Sequence, residues 1–156
     1  VRYVDADTLL KFYNLAKDYN ESATRMQNQF DALQKAQDKK LRNLQASFAQ
    51  KQKNNVYATN PQQAQADQAT YQNAVVAAQK AVGAKQEEIA KILEENQTDL
   101  NNKINDFLKK YAKEKGYDMI LNKAATFYVD PKFDVTSDVV ERLNKEYTKV
   151  APKKEK

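Results

Sequence analysis

The chain has 156 residues, a net charge of +5 from 26 Lys and Arg against 21 Asp and Glu, and a mean hydropathy of −0.90. It contains no Cys, His or Trp, which excludes zinc-finger, haem and iron–sulfur ligation as well as thiol and Ser-His-Asp catalysis. Its 2 Gly and 3 Pro leave no phosphate-binding glycine loop and favour long helices. The composition therefore predicts a protein that is not an enzyme, with no catalytic, metal-binding or cofactor-binding residues.

The first elements in chain order are a short strand and a long helix. Val1-Arg2-Tyr3-Val4 is typical of a strand, and Asp5 or Asp7 can cap the helix that follows. Apolar residues then recur at steps of three and four positions, with Ala23 between Tyr19 and Met26, as on one face of a helix: Leu9, Phe12, Leu15, Tyr19, Met26, Phe30 and Leu33. With a weaker continuation to Phe48, the pattern predicts one unbroken helix from Thr8 onward.

The segment 54–61 is predicted to be the tip of a helical hairpin. Asn60-Pro61 breaks the outgoing helix, and Pro61 suits the first position of a new one. A second helix with an apolar face follows. It is predicted to end at Gly116, because glycine is a typical residue just after a helix C-terminus. Two such helices joined by a tight turn predict an antiparallel coiled-coil arm over 25–102.

The C-terminal third is predicted to form a small β-rich body with the N-terminal strand. Residues 117–121 and 126–129 have strand-like composition, and Asp130-Pro131 ends the second of them. A short amphipathic helix follows over 139–147. Because a hairpin returns the chain to its starting point, the three strands can meet in one sheet.

These elements predict a mostly α fold with a small β body (α+β), in which a long antiparallel helical hairpin projects from a small sheet. The predicted domains are a discontinuous body of residues 1–24 and 103–150, an arm of residues 25–102, and a disordered basic tail of residues 151–156. A small sheet with exposed edges favours oligomerisation. The residues predicted for the body core or its oligomer interface are Tyr3, Val4, Tyr117, Met119, Leu121, Phe127, Val129, Val139 and Leu143.

Blocks of residues at both ends of the chain carry a family resemblance. They are Tyr3-Val4-Asp5 leading to Leu9-Leu10 and Tyr13, Gly116-Tyr117-Asp118-Met119-Ile120-Leu121, Ala124-Ala125-Thr126-Phe127-Tyr128, and Asp134-Val135-Thr136 leading to Val139-Val140 and Leu143-Asn144. In this order they resemble the Skp/OmpH periplasmic chaperones of Gram-negative bacteria. The blocks lie within residues 1–20 and 105–147, and the arm is similar in length and coiled-coil character.

The resemblance implies an ATP-independent holdase. Its expected form is a homotrimer whose body trimerises and whose three arms enclose a cavity. Its expected partners are unfolded outer-membrane β-barrel proteins, together with an anionic membrane surface or lipopolysaccharide. Its expected location is the periplasm, and because Val1 opens inside a strand, the chain is expected to be a mature form without its signal peptide.

Two groups of arm residues are candidate client-binding sites. One is a basic set that can attract acidic clients: Lys35, Lys39, Lys40, Arg42, Lys51 and Lys53. The other lies in the Gln- and Ala-rich outer arm and can supply adaptable apolar contacts: Tyr57, Tyr71, Val75 and Val76. Each set has a simpler interpretation, a solvated helix face for the first and a weakly packed tip for the second.

A second function remains open on this sequence. A structural coiled-coil adaptor that binds one folded envelope protein would have the same fold as a holdase and would differ only in selectivity. Nucleic acid is not an expected partner, because the basic residues are interrupted by acids and no nucleic-acid-binding module is recognisable.

Overall fold

The computed structural model describes residues 1–150, so the predicted tail of residues 151–156 lies outside the described part. The elements within it are β1 (Arg2–Val4), α1 (Ala6–Phe12), α2 (Asn14–Lys53), α3 (Val56–Thr59), α4 (Pro61–Lys115), β2 (Ile120–Asn122) and α5 (Thr136–Val150), with 3-10 turns at Lys123–Ala125 and Pro131–Phe133. None of the helices in this range is both long and apolar enough to cross a membrane.

The chain divides into two compact units. Within the described residues, the terminal unit combines Val1–Ala23 with residues 93–150, and the hairpin unit is Thr24–Ile92. The assignment of a trimerisation body and a client-binding arm to two such parts stays a prediction.

The sheet of the terminal unit has two parallel strands, β1 and β2, with Arg2 opposite Ile120 and Val4 opposite Asn122. The other edge of β1 is covered by the chain just before α5. There the backbone N–H of Val135 donates to the carbonyl oxygen of Tyr3 at 2.9 Å. The third segment beside β1 is therefore the stretch of Asp134 and Val135 just before α5, and not the strand predicted at 126–129.

The prediction of a strand at 126–129 is wrong, and local hydrogen bonds explain why. Asn122 caps the first 3-10 turn by accepting from the N–H of Ala124 at 3.1 Å, and the Thr126 hydroxyl donates back to the Lys123 carbonyl at 2.8 Å. Asp130 caps the second turn in the same way. Such side-chain bonds to the backbone compete with strand pairing, so the segment between the two turns stays irregular.

The prediction of one unbroken helix from Thr8 is also wrong, because α1 and α2 are separated at Tyr13, whose backbone is extended. The amide side chain of Asn144 on α5 bridges this break. It donates to the Phe12 carbonyl at 3.0 Å and accepts from the Asn14 N–H at 2.7 Å. Backbone groups that a continuous helix would pair internally thus find a partner from elsewhere in the fold.

Both ends of the helical region follow their capping signals. Of the two candidate N-caps, Asp5 caps α1, accepting from the backbone N–H of Asp7 and Thr8. Gly116 ends α4 with a φ of 72°, and the N–H of Tyr117 donates back to the Ala112 carbonyl at 2.8 Å, which is a Schellman cap. Since residue 117 still belongs to this cap, β2 begins at Ile120 and not at the predicted residue 117.

The core of the terminal unit lies where α5 packs on α1 and β1. Its buried residues are Val4, Leu9, Tyr13, Leu15, Ala16, Leu100, Tyr111, Val139 and Leu143. Tyr111 is stacked on Phe107, with ring centroids 5.8 Å apart, and meets Tyr117 edge-on at 6.0 Å. The phenol of Tyr111 donates to Asp138 at 2.6 Å, so this large side chain is buried without an unpaired polar group.

The hairpin unit is built from antiparallel parts of α2 and α4. Gln45 of α2 hydrogen-bonds to Tyr71 of α4, and Lys51 of α2 bonds to Asp67 of α4. The residue number rises along α2 as it falls along α4, so the two helices run in opposite directions. The apolar burial is thin, because Met26 and Ala78 are the buried hydrophobic residues of this unit. Between the helices the chain turns through Asn55, in the left-handed region at φ 57°, and α4 restarts at Pro61 as predicted.

Candidate functional site

The most organised polar group in the hairpin unit is centred on the carboxylate of Asp67. Its Oδ2 accepts from the Lys51 ammonium at 3.0 Å and from the Tyr57 phenol at 2.7 Å, and its Oδ1 accepts from the Gln63 amide at 2.9 Å. Asp67 is only 8 % exposed. We call these four residues with Gln45, Phe48 and Tyr71 the tip cluster.

The hydrogen bonds of the tip cluster set where its protons lie. Those from Tyr57 and Lys51 lower the pKa of Asp67 below its usual value. Desolvation and the bond to Asp67 raise the pKa of Tyr57 to about 12. At neutral pH the carboxylate is therefore ionised and the phenol is neutral, so Tyr57 is the donor.

The aromatic side of the tip cluster adjoins an open cavity of about 310 Å³. Phe48 and Tyr71 meet edge to face with ring centroids 6.2 Å apart, and the Gln45 amide donates to the Tyr71 hydroxyl at 2.8 Å. The cavity is lined by Gln45, Phe48, Tyr57, Ala64, Asp67, Gln68 and Tyr71. This apolar hollow with a polar rim can receive a side chain, and no catalytic arrangement of groups is evident in it.

The structure brings together three of the predicted client-binding residues, Lys51, Tyr57 and Tyr71, all of them half-buried in the tip cluster. Val75 is also half-buried, whereas Val76 is 62 % exposed. The remaining basic candidates are exposed along α2: Lys35, Lys39, Lys40, Arg42 and Lys53. Client binding by either set stays a prediction.

Four members of this site are not predicted from the sequence pattern: Asp67, Phe48, Gln45 and Gln63. One signal could have found Asp67, which is the single acidic residue between positions 43 and 86. A lone carboxylate in a charge-poor, partly apolar segment suggests a buried partner for a cation or a phenol. The partners themselves could not be identified without the register of α2 against α4.

The residues predicted for the body core differ widely in exposure. Val4, Val139 and Leu143 are buried, and Tyr3, Tyr117 and Val129 are half-buried. Met119 is 50 % and Leu121 39 % exposed, and Phe127 is fully exposed because its segment is not a strand. These last three are not part of the core of a single chain, and their place in an oligomer interface stays a prediction.

An apolar groove of about 210 Å³ in the terminal unit lies beside the exposed Leu121. Its lining residues come from β1, α1, α4 and β2: Val4, Ala6, Leu9, Leu10, Asn101, Ile104, Leu108, Ile120, Leu121 and Asn122. Phe127 and Tyr128 add exposed aromatic surface to the same unit. Exposed apolar surface of this kind is typical of interaction sites.

Within residues 1–150 no three acidic side chains are grouped so that they could hold a metal ion. The prediction that the protein has no catalytic, metal-binding or cofactor-binding residues stays a prediction.

Comparisons with known proteins identify what this fold resembles. The chain matches the family model described as outer membrane protein (OmpH-like) over residues 1–143. It is similar to the crystal structure of a candidate outer membrane chaperone (OmpH-like) from Caulobacter crescentus, with 17% identity, a TM-score of 0.81, and coverage of 99% of this chain and 89% of that one. A search of curated proteins finds no match. The likeness confirms the predicted fold class of a helical hairpin with a small β body.

Proposed function

Because the chain belongs to the OmpH-like family, as its sequence resemblance predicted, we propose that it is a periplasmic chaperone that holds unfolded outer-membrane β-barrel proteins without ATP. The observation that carries the proposal is the surface of the hairpin unit. Nearly all of its side chains are exposed or half-buried, since Met26, Asp67 and Ala78 are its only buried residues among those described. Long, polar, weakly packed helices offer many small contacts along their length, which suits clients of many shapes.

The holding mechanism we propose is avidity among weak contacts. Each exposed side chain contributes little, but contacts made together raise the effective concentration of the client at the next site. Such a client can still move and leave, so its release requires no nucleotide when folding in the membrane lowers its free energy further. Shielding of its apolar surface and strand edges opposes aggregation.

Association into a homotrimer is the second part of the proposal. Exposed apolar side chains are concentrated in the terminal unit, where Phe127, Tyr128 and Met119 lie at the surface of a single chain. Burying them between copies would remove this apolar surface from water. Hairpins from three copies would then enclose a cavity for the client. In solution, a mass of 17.9 kDa at micromolar concentration would contradict the trimer.

The exposed basic residues of α2 supply long-range attraction in this proposal. Lys39, Lys40 and Arg42 are exposed in one short stretch. They would attract acidic segments of clients and, by the same chemistry, an anionic membrane surface or lipopolysaccharide. Because the Debye length is about 8 Å at physiological ionic strength, this attraction should weaken as salt is added.

Suppression of aggregation tests the proposed function. Several unfolded outer-membrane proteins are diluted from urea into buffer, and light scattering is followed with and without the chain in the absence of ATP. We expect the chain to lower the scattering of all of them. If it protects none of them and binds one folded envelope protein tightly, the chain is an adaptor and the holdase proposal fails.

A charge-matched pair of variants tests the basic surface in the same assay. Replacing Lys39, Lys40 and Arg42 with Gln should slow client capture at low salt, and the difference from the parent should vanish at high salt. The control replaces Lys109, Lys110 and Lys113 with Gln, which removes the same charge from exposed positions in the terminal unit. Equal slowing by both variants would mean that only net charge matters.

A further inference from the structure

The carboxylate of Asp67 connects three successive segments of the hairpin tip. Its donors are Lys51 in the last turn of α2, Tyr57 in α3 and Gln63 in the first turn of α4. Buried polar side chains are rare in the described residues, where Asp67 and Thr136 are the two examples. A buried carboxylate with three donors is a strong and directional joint, because bonds to a charged acceptor are stronger than bonds between neutral groups.

The segment between α2 and α4 has few other means of staying in place. α3 is a four-residue helix whose N-cap residue, Asn55, makes no side-chain cap bond. Asn54, Ala58, Thr59 and Asn60 are exposed, and Val56 and Tyr57 are the half-buried residues of this turn. Its attachment to α4 is at its last residue, where Asn60 accepts from the Gln63 N–H with its carbonyl at 3.1 Å and with its side chain at 3.3 Å. The bond from the Asn60 N–H to the Val56 carbonyl at 2.9 Å holds only the shape of α3.

The side chain of Tyr57 also adjoins the aromatic part of the tip cluster. It lines the same cavity as Phe48 and Tyr71, which meet edge to face. The open cavity of about 310 Å³ means that apolar packing holds this region only loosely. The directional bond to Asp67 therefore carries a large share of what keeps Tyr57 at this cavity.

We infer that residues 54–59 form a lid beside Phe48 and Tyr71, with its C-terminal end fixed at Asn60, and that the bond from Tyr57 to Asp67 is the latch that keeps this lid closed. When the latch opens, the lid moves away from α4 and the aromatic faces of Phe48 and Tyr71 gain exposure. Lys51 and Gln63 keep Asp67 in position for reclosing. The inference concerns the chain's own tip and is independent of the proposed function.

Distance measurements between spin labels test the latch. The chain contains no Cys, so Ala58→Cys and Gln72→Cys give two unique labelling sites, both at exposed positions. The labelled chain is diluted with unlabelled protein so that only distances within one chain are measured. The parent should give one narrow distribution.

Two latch variants and one control are compared in this background. Asp67→Asn removes the charge, and Tyr57→Phe removes only the phenol hydroxyl. Asp31→Asn makes the same charge change at an exposed position of α2, where the carboxylate accepts from the Gln27 amide at 3.1 Å. We expect the open fraction to rise about tenfold in Asp67→Asn and by a smaller factor in Tyr57→Phe, and to stay unchanged in Asp31→Asn. Far-UV circular dichroism checks that each variant keeps its helices.

The fluorescent apolar probe anilinonaphthalene sulfonate gives a second readout on the unlabelled variants. Its fluorescence should increase in Asp67→Asn and Tyr57→Phe as Phe48 and Tyr71 become exposed, and Asp31→Asn accounts for any gain caused by lost negative charge alone. The lid is overturned if both latch variants keep the narrow distance distribution of the parent, or if the probe responds equally to Asp67→Asn and Asp31→Asn.

Discussion

The terminal unit and the hairpin unit are built from the same two long helices, yet they are held together differently. In the terminal unit, side chains from β1, α1, α4 and α5 converge on a continuous apolar core that includes Val139 and Leu143. In the hairpin unit only two apolar residues are buried, and a buried carboxylate, Asp67, joins the helices near the tip. The terminal unit has an apolar core because further elements pack against its helices. In the hairpin unit α2 and α4 pack mainly against each other, which leaves a narrow line of apolar contacts.

The comparison separates two sources of helix stability. Residues of α2 and α4 in the terminal unit are stabilised by tertiary packing, whereas those in the hairpin unit depend more on helix propensity and on a few directional bonds. The hairpin unit should consequently tolerate loss of apolar volume better and respond more to changes in backbone propensity. The following substitutions test this contrast, beginning with the largest expected effect.

Leu143→Ala should cause the largest loss. Leu143 is 2 % exposed, and truncation of a fully buried leucine lowers the free energy of unfolding by about 2–5 kcal/mol. Leu44→Ala is the matched change in the hairpin unit, where Leu44 is half-buried and the expected loss is about 1 kcal/mol. Urea unfolding at fixed protein concentration measures both, and equal losses would show that the two units are not packed differently.

Asn144→Ala should have the next largest effect, because it removes both bonds that bridge the break between α1 and α2. Two backbone groups then lose their partner, and the expected loss is about 1–3 kcal/mol. Asn105→Ala, an exposed change on α4, should stay within about 0.5 kcal/mol of the parent. If α1 and α2 fuse into one helix in Asn144→Ala without loss of stability, the break is not set by Asn144.

Tyr111→Phe should reveal a pH-dependent contribution in the terminal unit. The hydrogen bond from Tyr111 lowers the pKa of Asp138, and burial followed by the same bond raises the pKa of Tyr111. At pH 7, loss of the hydrogen bond from Tyr111 to Asp138 should lower the free energy of unfolding by about 1 kcal/mol. Arg142 remains within 3.2 Å to hold Asp138 in the variant.

The sign of the pH dependence follows from the two shifts. A carboxyl whose pKa is lowered by folding stabilises the fold at pH values above its pKa in the unfolded chain, about 4. This contribution is lost as the pH falls through its pKa in the folded chain. A phenol whose pKa is raised by folding stabilises the fold at pH values below its pKa in the unfolded chain, about 10. This contribution is lost as the pH rises through its pKa in the folded chain. The difference between parent and Tyr111→Phe in urea unfolding should therefore be largest near neutrality and shrink at both extremes, and a constant difference would exclude the linkage.

The two glycines should respond in opposite directions, with the smallest effects. Gly83 lies within α4 in the hairpin unit and an added Cβ meets no atom within 4 Å, so Gly83→Ala should stabilise the helix by about 0.5–1 kcal/mol. Gly116 has a φ of 72°, and Gly116→Ala should destabilise the cap by about 1 kcal/mol. Thermal unfolding followed by circular dichroism measures both. A destabilising Gly83→Ala would mean that this glycine serves a bend in the helix.

Much of the helical framework could be predicted because its signals are local. The apolar spacing from Leu9 to Leu33, the start of α4 at Pro61 and the end at Gly116 depend on residues within a few positions of one another. The helix break at Tyr13 has no such signal, since it depends on a side chain 131 positions away from it in the sequence, that of Asn144.

The candidate site divides in the same way. Lys51, Tyr57 and Tyr71 were identified from residue type, and the structure places them together. Asp67, which organises them, was missed because its partners depend on the register between two helices that are joined only through the tip.

The sequence by itself determined the long helices, their caps, the reversal at 54–61 and the absence of Cys and His chemistry, because each follows from local backbone preferences or from composition. Only the tertiary structure decided which chain segment lies beside β1, where the first helix breaks, and which charged residue is buried. Residues 126–129 have the composition of a strand but form no strand pairing within residues 1–150, whereas the stretch before α5 pairs with Tyr3. Strand pairing and burial are properties of partners brought together by the fold, and partners distant in the sequence leave no periodic trace in it.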